Sequence, residues 1–269
     1  LSNFMAERGA NQGNCANACR WEYKVHLKLK DGSVHDLVID ESNGDLFEFF
    51  LEEGYRPGEF LPIIEDERGS YILNSKDLCL MPKLNDYMEI GVDTLKVEGR
   101  NRSPYYVGVT ARAYRQAIDD WLENPEGWNP KPYLRELETV GSRGYTLAFH
   151  NGRLTNYAHG YDHTAMLAEW EYGGFVREHT DEALIMTVKN KFEAGDVLEF
   201  VPPKRREPVL LRLYEFETEH GKTVETIHAG QQQALRIPFT AFDQEYPAQI
   251  RKALPPLTLI RKERSLTQA

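Results

Sequence analysis

The sequence predicts two kinds of structure in succession, an α/β region followed by an all-β region. Apolar and polar residues alternate on both sides of an Asp-Gly pair near the start of the chain. A helix, a strand, a loop and a long helix are then predicted in that order, which is typical of a parallel α/β sheet or barrel. After Gly174 short apolar runs recur, and five or so strands in about ninety residues favour a small β-barrel.

The first alternating region predicts a β-hairpin. Apolar residues occupy every second position from 23 to 29, and the apolar pattern resumes at Val34. The Asp31-Gly32 pair between them is a turn sequence that hairpins favour. Shorter apolar runs at residues 60–64 and 70–73 follow.

A short helix and a strand are predicted next. Pro82 suits a first helical turn, Leu84 and Met88 are four residues apart, and Gly91 is a typical stop. Residues 93–98 then predict a strand. This places Glu98 at the carboxyl end of that strand, where such folds place their functional groups.

A long helix follows this strand. Ser103 is a suitable cap and Pro104 a suitable first residue. Its predicted buried face is formed by apolar residues at helical spacing, namely Tyr114, Ala117, Ile118, Trp121 and Leu122. Residues 124–132 contain three prolines and a glycine, which predicts a linker.

The last part of the chain predicts short strands separated by turns. Candidate strands are residues 183–188, 197–201, 209–217, 223–227 and 234–238. Gly195-Asp196 and residues 219–222 are predicted turns.

Composition and charge limit the possible classes of protein. The 42 acidic residues outnumber the 32 basic ones, and a formal charge of −10 excludes a surface that is basic throughout but not a local basic patch. There is no apolar stretch of about 18 residues and no secretory signal pattern, so we expect no membrane association. Three cysteines are too few for a disulfide framework, which favours a reducing, cytoplasmic location.

The cysteines are candidate metal ligands. Cys15 and Cys19 are four residues apart, Arg20 next to them would favour a thiolate, and Cys79 follows sixty residues later. Three cysteines fall short of the four ligands that most structural zinc sites and iron–sulfur clusters need. The alternative for Cys79 is a small buried apolar side chain.

Two groups of charged residues are further candidates. Glu98, Arg100 and Arg102 could bind an anionic substrate or transfer a proton, or they could form an ordinary ion pair that closes a loop. Basic residues of the C-terminal region could contact nucleic acid or belong to solvated loops; they are Lys189, Lys191, Lys204, Arg205 and Arg206. No common hydrolase, nucleotide-binding or histidine metal motif is present.

Several segments resemble one known family. Residues 11–23, NQGNCANACRWEY, resemble a characteristic segment of the peptidase U-32 family, in its branch for 5-hydroxyuridine synthesis in tRNA. Further matches, in the family's order and across nearly the whole chain, are RPGE (56–59), NSKDL (74–78), LKVEGR (95–100) and VKNKF (188–192). Leu1-Ser2 resembles the end of the family signature, so we expect the chain to be the C-terminal portion of a longer protein.

The resemblance implies a domain organisation. It implies that residues 1–123 are the C-terminal part of a TIM-like (β/α) barrel with an inserted β-hairpin. Residues 124–173 would be a linker region. Residues 174–269 would be a small translation-factor-like β-barrel.

The resemblance also implies an iron–sulfur enzyme that acts on tRNA. Its hydroxylating relatives hold a 4Fe-4S cluster on four cysteines, two of them in the signature, so Cys15 and Cys79 are expected as the other two, with Cys19 as a rival. This chain would then carry an incomplete ligand set. The implied reaction is prephenate-dependent hydroxylation of the wobble uridine to 5-hydroxyuridine.

The resemblance assigns roles to further residues and keeps two alternatives. Glu98 and Arg100 would shape the pocket, with prephenate as co-substrate, and Lys189 and Lys191 would bind tRNA through its phosphates. One alternative is a collagenase-like U-32 peptidase, although no nucleophile, base and oxyanion set is visible. The other is a non-catalytic RNA-binding module.

Overall fold

The chain divides into two compact units. The computed structural model describes residues 76–100, 102–152, 169–204, 207–214, 216–230, 234–242 and 247–264, together with the backbone of five strands between residues 26 and 72. One unit comprises residues 1–80 and 142–167, and the other comprises residues 81–141 and 168–269.

The first unit is described by its strands. Strands β1 (His26–Lys28) and β2 (Val34–Asp36) are antiparallel, with Leu27 opposite His35, which confirms the predicted hairpin. Strands β3 (Phe50–Glu52), β4 (Phe60–Asp66) and β5 (Gly69–Ile72) form an antiparallel sheet that includes both predicted apolar runs.

A short parallel pair completes the described part of this unit. Strand β6 (Asp77–Leu78) pairs with β7 (Tyr145–Thr146). The Arg143 guanidinium donates to Asp77 Oδ1 from Nη2 at 2.8 Å and from Nε at 3.3 Å. This two-point contact holds the segment before β7 against β6.

The second unit begins with helices. A 3-10 turn, Met81–Lys83, leads into α1 (Leu84–Glu89), and Gly91 follows with a φ of 77°, as predicted for a stop. Helix α2 spans Pro104–Glu123, and the Ser103 hydroxyl accepts a hydrogen bond from the backbone N–H of Tyr106 at 3.1 Å, which confirms the predicted cap. Helix α3 spans Lys131–Glu138.

Two predictions for this region are wrong. Residues 93–98 are irregular rather than a strand, so Glu98 does not lie at a strand end. Their apolar residues suit a strand, but a strand also needs a neighbour for its backbone groups, and the described residues place none beside them. The buried stripe of α2 is also rotated from the predicted face: it comprises Tyr105, Val109, Thr110, Ala113 and Ala117.

The region predicted as a linker contains regular structure. Helix α3 begins inside it, β7 follows, and residues Ala148–Asn151 form a 3-10 turn. Pro132 lies in the first turn of α3, where its missing N–H costs nothing. The predicted domain boundaries themselves stay a prediction.

The remainder of the second unit is dominated by one sheet. Its strands and the small pair beside it are β8 (Trp170–His179), β9 (Ala183–Val188), β10 (Phe192–Glu193), β11 (Val197–Val201), β12 (Val209–Arg212), β13 (Phe216–Thr218), β14 (Thr223–Val224), β15 (Thr226–Ile227), β16 (Ala234–Pro238) and β17 (Leu259–Glu263). Within the described residues eight strands form an antiparallel sheet in the order β12-β11-β17-β8-β9-β16-β13-β14, and β10 pairs with β15. Helix α4 (Pro247–Ala253) precedes β17.

The sheet curls around an apolar core. The largest side chains of this core with almost no exposure include Phe192, Phe200, Met186, Leu198 and Ile260. The end strands β12 and β14 are not paired with each other in the described residues, so the sheet is a curled, open one. The fold therefore mixes helices and strands, as predicted, and its large sheet is curled; the TIM-like barrel and the translation-factor-like β-barrel stay predictions.

Helices α2 and α3 pack on this sheet within the same unit. Tyr105 stacks on Tyr172 of β8 with ring centroids 5.5 Å apart, and Val109 belongs to the same apolar cluster. Gly108 approaches β17 so closely that a Cβ atom there would lie 2.6 Å from Leu259 Cδ1. The helix pair therefore covers part of the sheet surface that faces away from the main core.

Candidate functional site

Glu98 and Arg100 lie in a tight loop immediately before α2. Glu98 Oε1 accepts a hydrogen bond from the backbone N–H of Arg100 at 2.8 Å, and the N–H of Arg102 donates to Gly99 O at 3.0 Å. The side chains of Glu98 and Arg100 are both exposed. The loop thus presents a carboxylate and a guanidinium two residues apart.

The loop is anchored on the first turns of α2. A Cβ atom on Gly99 would lie 2.8 Å from Val107 Cγ2, so a larger residue there would require the Val107 side chain to shift. The Arg102 guanidinium lies 4.9 Å from the centroid of the Tyr106 ring and donates to Gly141 O at 3.3 Å. Arg102, which the sequence grouped with Glu98 and Arg100, therefore holds the loop in place.

Cys79 follows β6 in the first unit. Its backbone N–H donates to Thr146 O at 2.9 Å, and its side chain is 5% exposed. The other two candidate ligands, Cys15 and Cys19, lie outside the described residues. The burial agrees with either interpretation of Cys79, because a cluster ligand and a small apolar side chain are both shielded from water.

The described residues fit one position of an iron–sulfur cluster. Cys79 offers a single buried thiol at a strand end, and no group of three or more histidine, cysteine or acidic side chains placed to hold a metal occurs in the described part of the chain. A complete ligand set therefore needs cysteines from elsewhere.

Lys189 and Lys191 lie in the turn between β9 and β10. The backbone N–H of Lys189 donates to Gly173 O at 2.7 Å, and Lys191 Nζ lies 2.5 Å from Glu193 Oε1. Both side chains are exposed. Lys204 is exposed too, whereas Arg205 and Arg206 lie outside the described residues.

Sequence reasoning missed a buried arginine. Arg261 of β17 is 5% exposed; its Nη1 donates to Glu136 Oε1 at 3.1 Å and its Nε to Glu199 Oε2 at 2.8 Å. Burial disfavours the charged guanidinium, but contacts with Tyr105, Glu136 and Glu199 outweigh this and raise the pKa of Arg261. An arginine inside the apolar run Leu259-Ile260-Arg261 was the signal that could have revealed it.

A second arginine extends this network to α2. Arg112 Nη1 also lies 3.1 Å from Glu136 Oε1, and Arg112 Nε donates to Pro202 O at 2.8 Å. Burial lowers the pKa of Arg112. This network of ion pairs joins α2, α3, β11 and β17, so its role is structural, and we call it the Arg261 clamp.

The described residues thus combine helices with a curled sheet, and the second unit carries an exposed Glu-Gly-Arg loop and exposed lysines. The chain belongs to peptidase family U32. The model of that family matches residues 1–159, and the model of the family's C-terminal domain matches residues 168–259.

Two curated relatives that the chain resembles share one name. The chain is 37% identical to tRNA hydroxylation protein P of Escherichia coli, over 76% of this chain and 48% of that protein. It is 32% identical to tRNA hydroxylation protein P of Haemophilus influenzae, over 76% and 48%. The chain thus spans about half the length of these relatives.

Two other matches are more limited. The chain is 31% identical to a protein named Collagenase from Porphyromonas gingivalis, over 60% of this chain and 32% of that protein. The solved C-terminal domain of a Geobacillus thermoleovorans protein described as a U32 peptidase matches 35% of this chain and 93% of that domain, at 21% identity and a TM-score of 0.27. Among the described helices, none combines the length and the apolar character needed to cross a membrane.

Proposed function

We propose that the chain is part of an enzyme that hydroxylates tRNA. The observation that carries this proposal is the 37% identity to tRNA hydroxylation protein P across 76% of the chain. More specifically, we propose that the enzyme converts the wobble uridine to 5-hydroxyuridine with prephenate as co-substrate. The partners of the chain are then tRNA and a small dicarboxylate.

The loop before α2 is the proposed substrate-binding element. Prephenate carries two carboxylates, and the exposed guanidinium of Arg100 suits two-point binding of one of them. Glu98 shapes the loop through its bond to the Arg100 N–H. Because Glu98 is exposed, its carboxylate is also able to exchange protons with a bound molecule.

The proposed cofactor is a 4Fe-4S cluster held in part by this chain. Cys79 and Cys15 are the proposed ligands, with Cys19 as the rival for either place, and the bound cluster would supply electron transfer. In the complete protein, alanine at Cys79 should lower the iron content, whereas alanine at a cysteine that is not a ligand should not. Unchanged iron in both the Cys15→Ala and the Cys79→Ala proteins would contradict the assignment.

The second unit is the proposed RNA-binding part. Lys189 and Lys191 are exposed in one turn and would contact phosphates. In this proposal residues 1–123 contribute to a TIM-like barrel, and residues 174–269 form a translation-factor-like β-barrel. Both features are to be sought in a structure of the complete protein.

Nucleoside mass spectrometry of cellular tRNA tests the proposal. Cells that lack the complete gene should lose 5-hydroxyuridine, and the wild-type gene should restore it. The Arg100→Gln gene should restore it poorly and respond to a raised prephenate supply, because a weakened carboxylate contact raises KM. Full 5-hydroxyuridine in the deletion strain would contradict the proposal.

The peptidase alternative has weaker support. The match to the protein named Collagenase covers 32% of that protein, and Cys79, the described cysteine, is too buried to attack a peptide. This alternative predicts that the purified protein cleaves gelatin. An RNA-binding module without catalysis predicts salt-sensitive tRNA binding and normal 5-hydroxyuridine without the gene.

A further inference from the structure

A cleft opens on the curled sheet near the turn between β9 and β10, which we call the lysine turn because it contains Lys189 and Lys191. It has a volume of about 460 Å³ and crosses the ends of β8, β11, β12 and β17. Its lining combines apolar side chains with charged ones: Trp170, Val197, Leu210, Asp196, Glu199, Lys262, Glu263 and Arg264. Leu210 of the end strand β12 is 59% exposed and presents an apolar surface at the cleft.

Trp170 is held rigidly at this cleft. Its ring lies 4.6 Å from the guanidinium carbon of Arg261, and Arg261 is itself fixed by Glu136 and Glu199. The indole is therefore oriented before any ligand arrives. A fixed indole beside an apolar floor is the arrangement on which nucleobases stack.

The cleft and the lysine turn are joined by Glu171. Glu171 Oε2 accepts from Asn190 Nδ2 at 3.2 Å, and Glu171 Oε1 accepts from Arg264 Nε at 3.2 Å. Asn190 lies between Lys189 and Lys191 in the sequence, so Glu171 connects the turn that carries these lysines to Arg264. The Arg264 side chain is 52% exposed and that of Glu171 is 25% exposed, so the cation is the more accessible partner.

The remaining charges of the cleft are mostly neutralised in pairs. Lys262 Nζ lies 2.8 Å from Asp196 Oδ2, and Arg261 pairs with Glu199. Glu263 is exposed and lies on the lining as well. The middle of the cleft therefore disfavours phosphate, whereas the exposed Arg264 at its edge favours it.

We propose that this cleft binds one nucleotide of single-stranded RNA, with its base on Trp170 and Leu210 and its phosphate at Arg264. The inference rests on the proposed tRNA function, which it deepens by assigning the RNA contact to one cleft. A duplex cannot place a base there, because its bases are already stacked. The cleft thus selects an unpaired nucleotide, such as one in a loop.

Fluorescence anisotropy with a labelled seven-nucleotide single-stranded RNA tests the cleft on the full chain. Trp170→Ala should weaken binding about tenfold or more, and Trp170→Phe should retain most of it, since loss of one stacked base has effects of this size. Arg264→Gln should weaken binding about threefold or more, whereas Arg177→Gln should not. Arg177 is a matched control, because it is a partly exposed arginine of the same unit that also pairs with glutamates.

The outcomes separate the cleft from the wider function. If Trp170→Ala bound the RNA with wild-type affinity and had an unchanged circular dichroism spectrum, the proposed nucleotide site would be wrong. The tRNA proposal would still stand in that case if Lys191→Gln weakened tRNA binding. Equal binding of the seven-nucleotide RNA and a sixteen-base-pair RNA duplex would also overturn it. If no variant altered RNA binding and 5-hydroxyuridine persisted without the gene, both proposals would fail.

Discussion

At the scale of single residues, the second unit depends on buried charges. Arg261 is paired with two carboxylates and also donates to Thr139 Oγ1 at 3.0 Å. Removing one member of a buried pair leaves the other without compensation, which costs far more than loss of an exposed pair. Arg261 is therefore a structural residue, although arginine is a common residue of RNA-binding sites.

The Arg261 clamp makes a stability prediction. Arg261→Met should lower the free energy of unfolding by about 3–5 kcal/mol, because Glu199 loses its arginine partner and Glu136 keeps only Arg112. Urea unfolding measures this change. Arg115→Met removes an exposed pair with Asp119, in which both side chains are about 60% exposed, and should change stability by less than about 1 kcal/mol. Equal effects of the two substitutions would contradict the assignment.

His179 makes a prediction about pH. Burial lowers the pKa of His179, a hydrogen bond with the backbone of Leu254 opposes this, and Arg251 lowers the pKa further. Its buried Nε2 has no hydrogen-bond partner among the described residues. When the pH falls below about 6.5, the ordinary pKa of histidine, the unfolded chain binds a proton at this side chain that the folded chain does not bind. The folded state is therefore less stable below this pH than above it.

Unfolding midpoints in urea at pH 7.5 and 5.5 test this direction. The midpoint should fall on acidification, and His179→Phe should reduce that fall by abolishing the contribution of this side chain. The control His228→Gln changes an exposed histidine of the same unit and should not reduce the fall. A fall of the same size in His179→Phe would refute the role of His179.

At the scale of elements, the geometry of strand β8 depends on two adjacent glycines, Gly173 and Gly174. The pairing of β8 with β17 shifts register between Ile260 and Arg261, opposite Gly173 and Gly174. A Cβ atom on Gly174 would lie 1.9 Å from Thr187 O of the neighbouring strand, so no other residue fits without moving β9. Tyr172 lies directly before this irregularity, opposite Arg261.

Gly174→Ala should therefore destabilise the sheet severely. We expect a loss of more than about 3 kcal/mol, because the added methyl group meets a backbone carbonyl rather than a flexible side chain. Gly195→Ala is the control: Gly195 has a φ of 100° but nothing within 4 Å of an added Cβ, so a loss of about 1–2 kcal/mol is expected. Thermal unfolding compares the two, and a milder effect at Gly174 would show that β8 adjusts.

The elements that could be predicted are those with a local signal. β9, β11 and β16 match the predicted strands to the residue, and the cap at Ser103 follows from its position before Pro104. β8 and β17 were missed, because Gly173-Gly174 interrupts one and Arg261-Lys262 the other. The prediction for residues 93–98 was wrong in the opposite way. Their pattern suits a strand, but a strand also needs a neighbouring strand, distant in sequence, to pair with its backbone.

At the scale of the whole molecule, charge is distributed unevenly. Residues 1–167 carry 18 basic and 26 acidic side chains, whereas residues 168–269 carry 14 and 16, so most of the negative charge lies in the first part. RNA binding by the second part does not conflict with the overall charge of −10. It predicts a local contact rather than a broad basic face.

The candidate sites were predictable to different degrees. Glu98, Arg100, Lys189 and Lys191 stand in motifs and are exposed as a binding role requires. The cleft at Trp170 was not predictable, because its lining comes from residues near positions 170, 197, 210 and 263, on four strands that meet only when the sheet forms. The sharing of Glu171 between Asn190 and Arg264 has the same origin.

The amount of 5-hydroxyuridine at the wobble position of cellular tRNA tests the central claim most directly. Mass spectrometry should find it absent in cells without the complete gene, restored by the wild-type gene and by Arg115→Gln, and largely missing with Arg100→Gln. Both arginines are exposed, so a general loss of surface charge would affect the two variants alike. Undiminished 5-hydroxyuridine in the deletion strain would contradict the account.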